Sequence, residues 1–590
     1  MSMRFQGRLW ARAAWAACAC ALLAACATPR PGKQPAQAPA PGQGLVASAH
    51  PLATQAGKDV LEAGGSAVDA AIAVQAMLGL VEPQSSGLAG GAFLLHYRAR
   101  DGRIEAYLGR ERAPAAADAS LFLDPAGGLL PRSEAMLAGS ATGVPGVLPA
   151  LEAAHADHGR LPWRSLFSPA IETATSGFIV SPRLQRHIDG RFPQASAPDV
   201  VELFSGPDGR PLRSGDVMRN PAYADTLREV AARGAAALQT GPLADAILAR
   251  IAEPPGASAM RAADLAGYRA EKVEPLCRPI RAYVVCVPPP PSSGVGLLQL
   301  MLLLEGTDID RRSPDDPVAW LAFAEASRLM YADRDHHVGD PDFVDVPVQG
   351  LLDAGYLDRR RELIGSRAAP GTFAAGDPDG ARAHGADATA EPAGTSHFVV
   401  VDGEGNAVSM TTTIESYFGS GRVVGGMLLN NQLTDFSWQP GSGAANAIAP
   451  GKRPRSSMSP VIVLDSQGNF AGAVGSPGGN AIPAYIGKTL LGWLFWDLPL
   501  EQAIALPNLV ARGARFDGEA DAFAPALREG LEELGVRVRP GSGEDSGLHG
   551  VQVRSGRLHG AADPRREGSV ASAAAMTAHA SSDDDDARHP

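Results

Sequence analysis

The sequence predicts an α+β layered fold, and three features point to it. Helical patterns dominate from about residue 44 to about 340. Short β-branched runs take over from residue 395, and a weakly apolar segment, 366–394, separates the two regimes. Helices and strands segregated in this way bury their apolar faces with helices outside and strands stacked between them. The 590 residues are 45% hydrophobic and 20% charged, enough for a large core. A net charge of −12 offers no basic face, so nucleic acid is not an expected partner.

Taken in order, the chain begins with Arg4, Arg8 and Arg12 ahead of the apolar run AAWAACACALLAA. This is a positive region followed by an apolar one too short to remain as a membrane-spanning helix. Leu23-Ala24-Ala25-Cys26 resembles a bacterial lipobox, so residues 1–26 read as a lipoprotein signal with Cys26 lipidated. A plain signal peptide cut at a nearby A-x-A site is the alternative. Residues 27–43, rich in Pro, Ala and Gln, form an extended tether. Ala27 and Thr28 carry no acidic retention signal, which points to a periplasmic body anchored by lipid at the outer membrane.

Residues 44–82 read as helices. Ser66 with Asp69 makes a capping box, and the run ends at Glu82-Pro83. SGLAGGAFLLHYR is a glycine-rich turn feeding a strand. From 140 to 340 the patterns are mostly helical, punctuated by PPPPSSGVG. Cys277 and Cys286 bracket RPIRAYVV, and in an oxidising compartment such a pair reads as a disulfide, with two free buried thiols as the alternative. No CxxC or HExxH occurs, so no metal site and no cofactor are expected. After residue 395 the runs SHFVVV, AVSMTTTI, GGMLLNN, SPVIVLD and NFAGAVG read as strands, with DGEGN at 402–406 as a hairpin turn. Residues 571–590, which contain the run Asp583–Asp586, read as a disordered tail with a solvated acidic end.

The abrupt start of a strand at Gly394-Thr395 raises a chemical question. A Thr hydroxyl is a weak nucleophile without a neighbouring base. Making Thr the first residue of a chain solves this, because the α-amino group, of pKa about 7.7–8.0, then serves as the base. That requires the Gly394–Thr395 bond to break, and glycine tolerates the strained geometry such a step needs. A strand that simply begins on Thr is the structural alternative.

The order and spacing of TSHFVVVD, GNAVSMTTTIE, FGSG, LLNNQLTDFS, GKRPRSSMSP and GSPGGN resemble the small subunit of the γ-glutamyltranspeptidase family. AGGSAVDAAIAVQAMLGLVEPQSSGLAGGAFLLHY, GRERAP and CRPIRAYVVCVPPPPSSGVGLLQ are similar to its large subunit. The resemblance spans about residues 44–570. It implies an N-terminal-nucleophile hydrolase with an αββα sandwich, cut at Gly394–Thr395 into a large subunit, 44–394 with 366–394 as its flexible end, and a small one, 395–570. It also implies γ-glutamyl transfer from glutathione and related donors to water, an amino acid or a peptide.

By the same resemblance Thr395 is the nucleophile and Thr413 the second Thr whose hydroxyl bonds it, while Gly478 and Gly479 form the oxyanion hole. Arg110 would take the substrate α-carboxylate, assisted by Ser456 and Ser457. Asp435, helped by Gln432, would take the α-ammonium, and Glu415 stands where many members have Asn. His397 is expected to pack near the site rather than act as base. WQPGSGAANAIAPG is shorter than the segment that forms a lid in some members, which predicts an open pocket and prominent hydrolysis. A glutaryl-cephalosporin-type acylase or poly-γ-glutamate depolymerase on the same fold is the second reading, and a binding lipoprotein without turnover the third.

Overall fold

The computed structural model describes residues 42–574 except 125, 386, 388, 390 and 542–545. Cys26, the tether to residue 41 and Asp583–Asp586 lie outside the described residues.

Two antiparallel sheets form the centre. The strands of interest are β1 (Gly44–Ser48), β2 (Gly91–Arg98), β3 (Arg103–Gly109), β4 (Glu271–Val273), β5 (Leu276–Ile280), β6 (Tyr283–Val287), β7 (Gly394–Val401), β8 (Ala407–Glu415), β9 (Val461–Asp465), β10 (Phe470–Gly475), β11 (His549–Arg554), β12 (Arg557–Ala562) and β13 (Ser569–Ala573). The first sheet runs β13-β1-β7-β8-β2-β3-β4 and the second β12-β11-β10-β9-β6-β5. Strands β7 and β8 of the first sheet pack on β10 of the second.

Helices α1 (Pro51–Glu62), α2 (Ala67–Val81) and α3 (Val147–His158) cover the first sheet. Helix α4 (Gly294–Glu305), with α5 (Pro317–His337) behind it, and helix α6 (Ile482–Leu490) cover the second. The layering is helix, sheet, sheet, helix, and it is the sandwich the resemblance implies. Strand β7 is buried along its whole length because it is central in its sheet and covered on both faces, so both faces are apolar or hydrogen-bonded. The Ser66 capping box forms as expected, Ser66 Oγ accepting from Asp69 N at 3.1 Å and Asp69 Oδ2 from Ser66 N at 2.9 Å.

Three expectations change. Residues 44–48 are not helical but form β1, a buried strand paired on both sides. The run GLVAS is too short to show whether its period is 2 or 3.6. Residues 571–573 are not tail but the end of edge strand β13, held by pairing with β1. The described part of segment 366–393 forms no helix or strand yet is anchored: Ala368 N donates to Leu534 O at 2.8 Å, Ala369 N to Glu325 Oε2 at 2.9 Å and Gly376 N to Asp333 Oδ1 at 2.8 Å. Hydrogen bonds fix it where apolar burial cannot, and composition alone does not reveal them.

Cys277 and Cys286 lie directly opposite each other on β5 and β6 and are joined, with their Cα atoms 4.1 Å apart. The eight residues between them close a hairpin.

Candidate active site

Antiparallel pairing of β7 with β8 sets Thr395 opposite Thr413. Alternate residues share a face, so Thr395 and His397, with Thr411 and Thr413, all point toward the second sheet. Thr395 Oγ1 donates to Thr413 Oγ1 at 3.2 Å, and Thr413 Oγ1 donates to Gly394 O at 2.6 Å. Glu415 N donates to the same Thr413 oxygen at 2.8 Å. The Thr413 hydroxyl therefore has its donor and both lone pairs engaged.

The register slips between Thr413 and Glu415, so that Glu415 faces Gly394. A bulge of this kind re-aims side chains at the end of a strand. Glu415 adopts a φ of 80°, unusual for a residue with a side chain. The same bulge explains the glycine at 394: a Cβ there would lie 2.3 Å from Glu415 O and 2.5 Å from the Ser416 carbonyl carbon. Gly394 is not among the residues with positive φ, so close approach of backbone, rather than dihedral strain, excludes a side chain.

His397 is fully buried. Its Nδ1 sits 2.9 Å from Thr411 Oγ1, its ring fills the space above Gly475, and burial lowers its pKa well below the ordinary range. It touches neither Thr395 nor Thr413 by any hydrogen bond described and serves packing, as expected.

Beside Thr395 lies a buried cluster of charge. Arg110 Nη2 donates to Asp435 Oδ2 at 2.5 Å and to Arg455 O at 2.9 Å, and Gln432 Nε2 donates to Asp435 Oδ2 at 2.6 Å. Thr434 Oγ1 donates to Glu415 Oε1 at 3.0 Å. Burial and the nearby Asp435 charge hold the Glu415 carboxyl well above the usual range. Burial also raises Asp435, although the Arg110 guanidinium opposes it. Burial pushes Glu111, beside Arg110, up to about 8. Two carboxyls sharing one dry pocket cannot both ionise without a cation between them.

Ser456 and Ser457 are placed by the PPPPSSG segment. Ser456 N donates to Pro291 O at 2.9 Å, and Ser293 Oγ to Ser456 O at 2.7 Å. The cation that meets Ser457 is Arg334, not Arg110: Arg334 Nη2 donates to Ser457 Oγ at 2.7 Å. Arg334 also pairs with Glu391, whose Oε2 accepts from Ser457 N at 2.9 Å. The segment just before the 394–395 bond then crosses Gly478 and Gly479. Their φ values of 131° and 53° suit glycine, and a Cβ on Gly479 would lie 2.2 Å from Glu391 O.

Arg110, Thr395, Thr413, Glu415, Gln432, Asp435, Ser456, Ser457 and Gly479 thus line one cavity, together with Glu391 and Pro392. Gly478 adjoins it through Gly479. The space left to a water centre is about 10 Å³, room for about one water. The sequence reading missed Glu391 and Arg334. Glu391 stands four residues before Thr395 but inside a stretch that composition marks as linker. Arg334 lies on the helix PVAWLAFAEASRLMYADRDHH, whose pattern signals packing.

The gamma-glutamyltranspeptidase family profile matches residues 53–573. The chain belongs to this family. Among gamma-glutamyltranspeptidase relatives, the glutathione hydrolase proenzyme of Bacillus subtilis (strain 168) is 34% identical over 539 residues, 89% of this chain and 91% of the relative. The Acylase ACY 1 proenzyme of Pseudomonas sp. (strain SE83) is 35% identical over 541 residues, 90% of this chain and 94% of its own. The crystal structure of cephalosporin acylase from Bacillus halodurans superposes with a TM-score of 0.79 at 28% identity, covering 92% of this chain and 98% of that one. The chain is therefore an enzyme of this family on an N-terminal-nucleophile hydrolase fold, and a binding module without turnover is set aside.

Proposed function

We propose that this chain is a precursor that cuts itself at Gly394–Thr395 and then cleaves γ-glutamyl amides, glutathione among them, through a γ-glutamyl ester on Thr395. The observation that carries the reading is the Thr413 hydroxyl, which contacts both the Thr395 hydroxyl and the Gly394 carbonyl oxygen. In the self-cleaving step Thr395 Oγ1 bonds to the Gly394 carbonyl carbon while its proton is taken up by solvent. Negative charge collects on Gly394 O, toward which Thr413 already donates. The Gly394–Thr395 C–N bond then breaks, the Thr395 nitrogen takes a proton, and an ester remains. Water hydrolyses the ester, leaving a Gly394 carboxylate and a Thr395 with free hydroxyl and amine.

The new amine supplies the base for turnover. Thr395 Oγ1 attacks the γ-carbonyl of the donor, Gly478 and Gly479 N–H groups receive the oxyanion, and the amine of the departing fragment takes the proton. Water or an acceptor amine then releases the acyl group. Displacement of residues 391–394 from Gly479 and from Ser457 N would open both to substrate. Arg110 and Arg334 supply cations for an α-carboxylate, and Asp435 with Glu415 supply anions for an α-ammonium.

Residues 437–451 support an open pocket. Trp438 stacks on Phe122 with ring centres 4.5 Å apart, its Nε1 donates to Thr434 O at 2.9 Å, and no residue of this segment lines the cavity at Thr395. Hydrolysis is expected to exceed transfer at modest acceptor concentration. The same openness keeps acylase or poly-γ-glutamate cleavage as the second reading, favoured by the relatives named acylases. The N-terminal run to Cys26 supports export to the periplasm with a lipid anchor at the outer membrane.

The deciding experiment is mass analysis of the purified protein. Two fragments of roughly 38 and 20 kDa, at about 0.1 kDa per residue, with the smaller beginning at Thr395, are expected. Thr395→Ala should give one uncut chain without turnover. Full activity in continuous material would overturn the reading. A panel of γ-glutamyl and glutaryl amides separates the two substrate classes.

A further inference from the structure

Far from Thr395, the hairpin of β2 and β3 sets His96 directly opposite Glu105. Facing residues on one side of an antiparallel pair bring their side chains together. Helix α3 ends on His158 above this pair, and its ring stacks on that of His96 with centres 3.9 Å apart. His158 Nε2 lies 2.6 Å from Glu105 Oε2 and 3.0 Å from Tyr107 Oη. His96 is 3% exposed, yet its Nδ1 has no hydrogen-bond partner. An orphaned buried ring nitrogen is costly unless something binds there.

One nitrogen from each His and one Glu105 oxygen lie within 4.8 Å of one another, the only such group of three His, Cys, Asp or Glu among the described residues. We propose that His96, Glu105 and His158 bind a divalent transition metal, with Zn²⁺ the best match.

Two imidazoles and a carboxylate are a zinc ligand set, and a fourth position can be filled by water. Tetrahedral coordination at about 2.0–2.1 Å sets ligand atoms ~3.3 Å apart, so the group must contract by up to ~1.5 Å on its longest edge and widen between His158 and Glu105. A cavity of about 400 Å³ lined by His96, Asp157, His158, Arg160 and Asn406 gives the ion an entry and room for that water.

The surroundings fix the ligands as a metal site requires. Lys272 Nζ holds the other Glu105 oxygen, Oε1, at 2.9 Å and Asp157 Oδ2 at 2.9 Å. Tyr107 Oη donates to Asp157 Oδ2 at 2.7 Å. Lys272 therefore orients Glu105 without occupying the position between Oε2 and the two rings. For Nε2 to bond the ion, the neutral His158 ring must carry its proton on Nδ1, so a proton on Nε2 would pass through solvent to Nδ1. The ring stays neutral and its Nε2 lone pair bonds the ion.

The site is not catalytic. Along β2, Gly91 pairs with Thr413 and His96 with Val408, five residues further, which is ~17 Å. Its effect would be to tie α3 to the β2–β3 hairpin. The test uses the full chain, stripped with chelator and dialysed against Zn²⁺ alone or Co²⁺ alone. One metal per chain, visible Co²⁺ absorption and a raised Tm are expected. His158→Gln, Glu105→Gln and His96→Gln should each weaken binding at least tenfold and abolish the Tm rise, while hydrolytic activity without metal stays unchanged. Should His96→Gln fail to fold, His158→Gln at the more accessible position carries the test. No binding by the wild type, or unchanged stoichiometry and affinity in folded His158→Gln, would overturn the proposal.

Discussion

The Thr413 hydroxyl donates to the Gly394 carbonyl oxygen at 2.6 Å across the β7–β8 pair, and that oxygen is the one on which charge would develop if Thr395 attacked its own peptide bond. A donor preset against developing charge is typically worth about 10²–10³ in rate. Thr413→Ala should therefore slow precursor cleavage by about that factor while leaving Thr395 in place. Time courses of fragment appearance on denaturing gels check this. Cleavage at the wild-type rate would remove Thr413 from the self-cleaving step.

Gly394→Ala tests the packing at the same bond. Its Cβ would meet Glu415 O at 2.3 Å and the Ser416 carbonyl carbon at 2.5 Å, both backbone atoms that cannot rotate away. The chain must shift by several tenths of an ångström, moving the Gly394 carbonyl off Thr413 Oγ1. A displacement on that scale degrades an aligned reaction geometry steeply. The expected result is a folded chain, of unchanged circular dichroism, that is processed at least tenfold more slowly than wild type.

The Glu415–Asp435 pocket predicts a pH dependence. Burial and Asp435 raise the Glu415 pKa, so with no ligand bound the carboxyl keeps its proton above the usual carboxylate range. A substrate ammonium favours the charged form, so binding expels a proton. Raising the pH makes that loss easier, and affinity should rise by up to about tenfold per pH unit until Glu415 ionises in the free enzyme. KM for a γ-glutamyl anilide should fall as pH rises through this range, and KM for a glutaryl anilide, which lacks the ammonium, should not. Glu415→Gln should flatten the first profile. Parallel profiles for both substrates would mean that Glu415 does not meet the ammonium.

The fold was largely legible because β-branched runs after residue 395 and capped helices before it carry periods of their own. Short motifs in the family's order had already marked Thr395, Thr413, Gln432, Asp435 and the Ser456-Ser457 pair, which the fold brings to one cavity. Strand β1 escaped because five residues carry too little periodicity. Glu391 and Arg334 escaped for a different reason: their partners are 57 positions apart, and nothing local announces a buried ion pair. The His96–Glu105–His158 group was equally silent, since no spacing rule joins a strand pair to a helix end.

Glu391 and Arg334 provide a last test, made in the Thr395→Ala background so that the chain stays continuous. Both side chains are buried, and Arg334 also pairs with Asp335 at 2.8 Å. Burial alone would raise the Glu391 pKa, but Arg334 and Arg455 outweigh it and hold the carboxyl below its ordinary value. A depressed carboxylate contributes stability above its unfolded pKa and loses it as pH falls through the folded one. Glu391→Gln should therefore lower stability at pH 7, by about 3 kcal/mol if the buried guanidinium is left short of charge. Its deficit should shrink below about pH 4, where the unfolded wild-type carboxyl is protonated. Adding Arg334→Met removes the stranded cation and should recover part of the loss. Urea melts of the Thr395→Ala background and the two variants at about pH 3 and pH 7 measure both effects, and a deficit that does not change between them would mean that Glu391 acts through packing rather than charge.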